Sequence, residues 1–106
     1  MKIEAFQKVV EHTWNQNMSG DECKTHAVLT LVTEAAEVAD IWKKYKFSNR
    51  PDKPTEVDLD HLQDEVGDVL YGVLAVCNEF GIEPGECMRL TTRKLMARYN
   101  KTAGCG

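Results

Sequence analysis

The stretch DLDHLQDEVGDVLYGVLAVCNEF, Asp58 to Phe80, decides the fold. Its apolar residues Leu62, Val66, Val69, Val73, Val76 and Phe80 recur at three- and four-residue steps, close to a heptad pattern. That period belongs to a helix in a bundle, not to a strand. The helix begins at about Val57 or Asp58 and stops at Gly81. Glu65 and Asp68 are three residues apart, so both carboxylates share one face beside the stripe. Gly72 lies on the same side one turn on. It either leaves open space near the acids for a ligand or lets another helix come close.

Upstream, Phe47 to Thr55 holds Ser48, Asn49, Arg50, Pro51, Asp52 and Pro54 and reads as a loop. Before it, a second helix runs from about Glu22 to Tyr45, with Ser19 or Asp21 as its cap. Val28, Leu31, Val32, Ala35, Val38, Ala39 and Trp42 form its apolar arc, and Glu34 and Glu37 lie just beyond one edge. Lys43, Lys44 and Lys46 crowd its end, where positive charge suits the helix dipole. A first helix, about Ile3 to Trp14, aligns Ile3, Phe6, Val9 or Val10 and Trp14. Downstream, Pro84 fits the first position of a last helix reaching Tyr99, with Cys87, Leu90, Leu95 and Met88 as its apolar residues. The chain is therefore all-α, a bundle of four to five helices in one domain spanning 1–106, with 101–106 a flexible tail. The apolar faces of the two long helices exceed what a chain of 106 residues can cover alone, so a dimer or higher oligomer is expected.

Glu34-x-x-Glu37 and Glu65-x-x-Asp68 give two acid pairs on helices that should pack together. Four converging carboxylates repel unless a cation lies between them. All four donors are oxygens, and no cysteine or imidazole has matching spacing, so the pattern points to a hard metal: Mg2+, with Mn2+ as a substitute. Either pair alone reads better as a solvated acidic helix face.

The net charge is −4, with 17 acidic against 13 basic residues, which argues against a nucleic-acid or anionic-membrane surface. Lys2, Glu4, Lys8 and Glu11 interrupt the N-terminus, and no apolar run approaches the length of a membrane span. A soluble, cytoplasmic protein is expected. Cys23, Cys77, Cys87 and Cys105 lack zinc spacing with His12, His26 and His61 and read as free thiols. Cys105 falls on the tail.

Glu34-Ala-Ala-Glu37, 27 intervening residues and Glu65-Val-Gly-Asp68 resemble the acidic signature of the MazG-like all-α nucleotide pyrophosphohydrolases. The resemblance extends through Leu31 to Asp40, Leu62 to Tyr71, the turn Gly81-Ile82-Glu83-Pro84 and the closing Lys94-Leu95-x-x-Arg98-Tyr99. It implies a helical bundle that dimerises or forms a tetramer, Mg2+ dependence, and hydrolysis of (deoxy)nucleoside triphosphates to monophosphate and pyrophosphate. Glu34, Glu37, Glu65 and Asp68 would hold metal and carry catalysis. Asp64 or one of these four would orient the attacking water. Lys94 and Arg98, in the matching segment, would grip phosphate, and Lys44 belongs to a second basic cluster with Lys43, Lys46, Arg50 and Lys53.

Trp14, Asn15, Asn17, Trp42 and Tyr71 are candidates for base recognition, and His26 and His61 for ligand contact, although large aromatics in small bundles more often fill the interior. Three other activities compete: phosphoribosyl-ATP hydrolysis within the family, a non-catalytic acidic module that binds metal or a partner, and a di-iron bundle. The last needs a Glu-x-x-His motif from each of two helices, which this chain lacks.

Overall fold

The computed structural model describes residues 1–14 and 17–99. The expected tail, with Cys105, and the candidate base contact Asn15 lie outside the described residues. Four helices and no strand occupy the described part: α1 Ile3–Thr13, α2 Gly20–Phe47, α3 Leu59–Phe80 and α4 Pro84–Tyr99. No described helix is long and apolar enough to cross a membrane.

The ends of the helices follow from local chemistry. Ser19 caps α2: its Oγ accepts the Glu22 N–H at 3.2 Å and donates to the Glu22 carboxylate at 2.9 Å. This reciprocal pairing satisfies a first-turn amide and starts α2 at Gly20, two residues before the expected Glu22. The helix also runs two residues past Tyr45, to Phe47. Asp58 caps α3 through the His61 N–H at 3.1 Å. Gly81 ends α3 with φ +65°, and the Ile82 N–H closes on the Cys77 carbonyl at 2.8 Å. That left-handed turn favours a residue without a Cβ.

The antiparallel α2–α3 hairpin is the framework, and α1 lies against α3. Val10, Ala27, Leu74 and Ala75 form the buried core, flanked by Phe6, Trp14, Tyr71 and Val76. Gln7 and Asn78 clasp α1 to α3: the Gln7 amide donates to Asn78 Oδ1 at 2.8 Å, and the Asn78 amide donates to the Gln7 carbonyl at 3.2 Å.

The apolar stripes depart from the sequence reading in register. On α3 the buried residues are Gly72, Leu74, Ala75 and Cys77, whereas Val66, Val73 and Phe80 are exposed. On α2 Cys23 and Ala27 are buried, and Val28, Val32 and Trp42 face outward. The physical reason is close approach: the helices meet through small residues, and part of the larger aliphatic set remains on the outside. Helix α4 departs further. Pro84 is its buried residue, while Met88, Leu90, Leu95 and Tyr99 are exposed.

Candidate metal centre

Gly72 sets the spacing of the site. A Cβ placed there would lie 3.0 Å from Leu31 Cα, so the absent side chain is what lets α3 close on α2. Of the two readings of Gly72, close helix packing is the one observed. Leu31 stands one turn before Glu34, and Gly72 one turn after Asp68. This close contact of the hairpin therefore adjoins both acid pairs and brings Glu34 opposite Glu65 and Asp68.

Glu34, Glu65 and Asp68 each place one carboxylate oxygen within 4.8 Å of the others. Glu34 and Glu65 are half-buried, with 15% of the Glu65 side chain exposed, and Asp68 stands at the mouth. Burial raises the Glu34 carboxyl above its ordinary range, and the negative charges of Asp68, Glu65 and Glu37 push it the same way. His61, one turn before Glu65, brings Nε2 to 3.4 Å from Glu65 Oε1. Glu37 is exposed and stands outside the converging trio, close enough for its charge to be felt at Glu34.

The basic candidates are placed less centrally. Lys44 pairs with Asp40 one turn earlier on α2, Nζ to Oδ2 at 2.8 Å. That hydrogen bond lowers the Asp40 pKa and raises that of Lys44. Their four-residue spacing was visible in the sequence as an ion-pair signal. Lys94 and Arg98 are exposed on α4, which does not pack along α2 or α3. Among the described residues neither has an ion-pair partner.

The aromatic candidates divide into two groups. Trp14 packs on His26, centroids 5.0 Å apart, and on Tyr71 at 6.0 Å. Tyr71 lies one turn beyond Asp68, and its hydroxyl shares a 2.8 Å hydrogen bond with Thr13 Oγ1. The Trp14 indole N–H is buried without an acceptor among the described residues, and the ring borders a cavity of about 440 Å3. Trp42 instead pairs with Tyr45 near the far end of α2, with Lys46 Nζ 5.6 Å from its ring. Each member of the Trp14–His26–Tyr71 cluster could be suspected singly from sequence. Their meeting could not, because it depends on how α1 returns across α3.

Residues 24–103 match the model of the MazG nucleotide pyrophosphohydrolase domain. The matched span contains both acid pairs together with Lys44, Lys94 and Arg98. No curated protein and no solved structure matches the chain.

Proposed function

The chain belongs to the MazG family of nucleotide pyrophosphohydrolase domains, and from that premise we propose that it hydrolyses nucleoside triphosphates to monophosphate and pyrophosphate with the help of Mg2+. The observation that carries this reading is the convergence of Glu34, Glu65 and Asp68. Three hard oxygen donors in mutual repulsion are the donor set that a divalent cation of this class requires. They therefore fit Mg2+, and Glu37 supplies further negative charge from the same helix. When bound, the cation neutralises phosphate charge and acidifies water.

The chain's own residues do the remainder. The trio fixes where the triphosphate's bridging region lies, and the half-buried setting of Glu34 and Glu65 limits competing solvent. Asp64 or one of the four acids orients the attacking water toward the α-phosphorus. Lys94 and Arg98 hold the departing pyrophosphate, the Arg as a two-pronged donor. Trp14, His26 and Tyr71 form an aromatic shelf near Asp68 against which a base can lie, and the Trp14 N–H, without an acceptor among the described residues, is a donor a base could use.

The working unit is a homodimer or larger assembly. Leu29 and Val32 on α2 are 56% and 61% exposed, and Leu70 on α3 is 52% exposed. Together they give the hairpin an outward apolar face suited to a second copy. Incubation with a panel of ribo- and deoxyribonucleoside triphosphates, with and without Mg2+, tests the activity. Pyrophosphate release that requires Mg2+ supports it. Metal binding without turnover of any member of the panel would instead indicate a non-catalytic module.

A further inference from the structure

We infer that His61 is a positioning residue for the metal centre: its Nε2–H holds the Glu65 carboxylate in the attitude in which it converges with Glu34 and Asp68. The inference rests on the proposed metal-dependent reading and deepens it with a residue that acts on the cation through Glu65.

The need for such a residue comes from charge. Glu34, Glu65 and Asp68 bring oxygens within 4.8 Å of one another, and like charges at that range push their carriers apart. Glu65 stands at the end of a long, rotamer-rich side chain that can yield to this push by turning away. Only one basic group opposes it. Among the described residues no lysine, arginine or other histidine pairs with any of the three acids.

Helix geometry places the imidazole where it is needed. His61 and Glu65 are four residues apart on α3, so their side chains share a face. A helical side chain leans toward the N-terminal end of its helix, which carries Glu65 back over the turn that holds His61. Nε2 and Oε1 stand 3.4 Å apart, a small ring rotation from a hydrogen bond. The His61 backbone is fixed as well, because its N–H donates to Asp58 Oδ1 at 3.1 Å in the capped first turn of α3.

The surroundings leave the ring free for this task. Its side chain is 54% exposed where that of Glu65 is 15% exposed, and it takes no part in the buried core. It lines a cavity of about 290 Å3 with Glu37, Asp40 and Lys44, and there Lys44 is already taken by Asp40 at 2.8 Å. A carboxylate offers about four lone-pair sites, so an N–H on Oε1 leaves the others for a cation. The role asks for an N–H at that point and not for a positive charge.

Mn2+ binding to the metal-free chain, followed by the paramagnetic resonance of free Mn2+ with no nucleotide present, tests this. His61→Ala removes the donor. His61→Gln keeps one, because the glutamine amide nitrogen stands as many bonds from Cβ as Nε2 does, and it carries no charge. Both substitutions leave the Asp58 cap, which uses the backbone N–H. The Kd for Mn2+ should rise about 10- to 100-fold in His61→Ala, the usual loss when a ligand's outer hydrogen bond is removed. It should return most of the way to wild type in His61→Gln, with a cooperative thermal melt in both variants. An unchanged Kd in His61→Ala would overturn the inference, whether or not its melt is depressed, and so would an equal loss of affinity in the two variants. Should the wild type bind Mn2+ and hydrolyse no triphosphate, the functional reading fails, and the two Kd values still decide the role of His61.

Discussion

At the scale of single residues, the centre depends on placing three like charges together. Asp68→Asn leaves the packing of α3 intact and removes one of three converging oxygens, so Mg2+-dependent turnover should fall at least 100-fold (about 3 kcal/mol), with a cooperative thermal melt retained. Kinetics beside the melt checks it, and a variant keeping most wild-type turnover would remove Asp68 from the centre. The Glu34 carboxyl gives a second prediction. Its pKa is raised from the ordinary 4.5 in the folded chain by burial and by Asp68, Glu65 and Glu37. The folded state therefore holds its proton more tightly than the unfolded state, so Glu34 costs stability as pH rises through and above that value. Metal-free Glu34→Gln should match wild type at low pH and become relatively more stable as pH passes above 4.5. Paired melts between acid and neutral pH show whether that gap opens, and a gap that narrows on raising pH would mean Glu34 is stabilised as an anion. The four acids were legible in the sequence because i, i+3 spacing within a helix is a local property. That Glu34, Glu65 and Asp68 converge while Glu37 stands aside was not legible, since the relative rotation of α2 and α3 decides it.

At the scale of elements, the closeness of α2 and α3 is the controlling feature. Gly72→Ala would put a methyl group 3.0 Å from the Leu31 backbone, which cannot swing away as a side chain would. The substitution should destabilise the fold by about 1–3 kcal/mol and separate Asp68 from Glu34. A midpoint shift in urea unfolding, together with weakened metal affinity, is expected. An unchanged midpoint would show that the hairpin has slack at this contact. Helix ends were readable to within about two residues because Ser19, Asp58, Gly81 and Pro84 are local signals. Which face each helix buries was read less well. Val66, Val73 and Phe80 carry the heptad period on α3, yet all three are exposed in the single chain. Periodicity reports that a face will be covered without saying whether the cover comes from the same chain. The bundle read from those stripes accordingly has an open side here.

At the scale of the whole molecule, the radius of gyration is 17.3 Å and α4 packs along neither α2 nor α3, an open arrangement that motivates the proposed assembly of copies. Light scattering at micromolar concentration should give at least twice the 12.0 kDa chain mass, and an active monomer would refute this. Little of this shape could be read from sequence, because α4 carries ordinary helical periodicity and nothing in it states the angle at Gly81. The central claim is that the chain's convergent carboxylates form a divalent-metal centre for cleaving a nucleoside triphosphate between its α- and β-phosphates. The most direct measurement is product stoichiometry for the preferred triphosphate, with Mg2+ or with chelator, in wild type and Asp68→Asn side by side. The account predicts equal amounts of monophosphate and pyrophosphate from wild type with Mg2+, and neither product with chelator or from the variant. Orthophosphate and a nucleoside diphosphate as products, or undiminished turnover by Asp68→Asn, would contradict it.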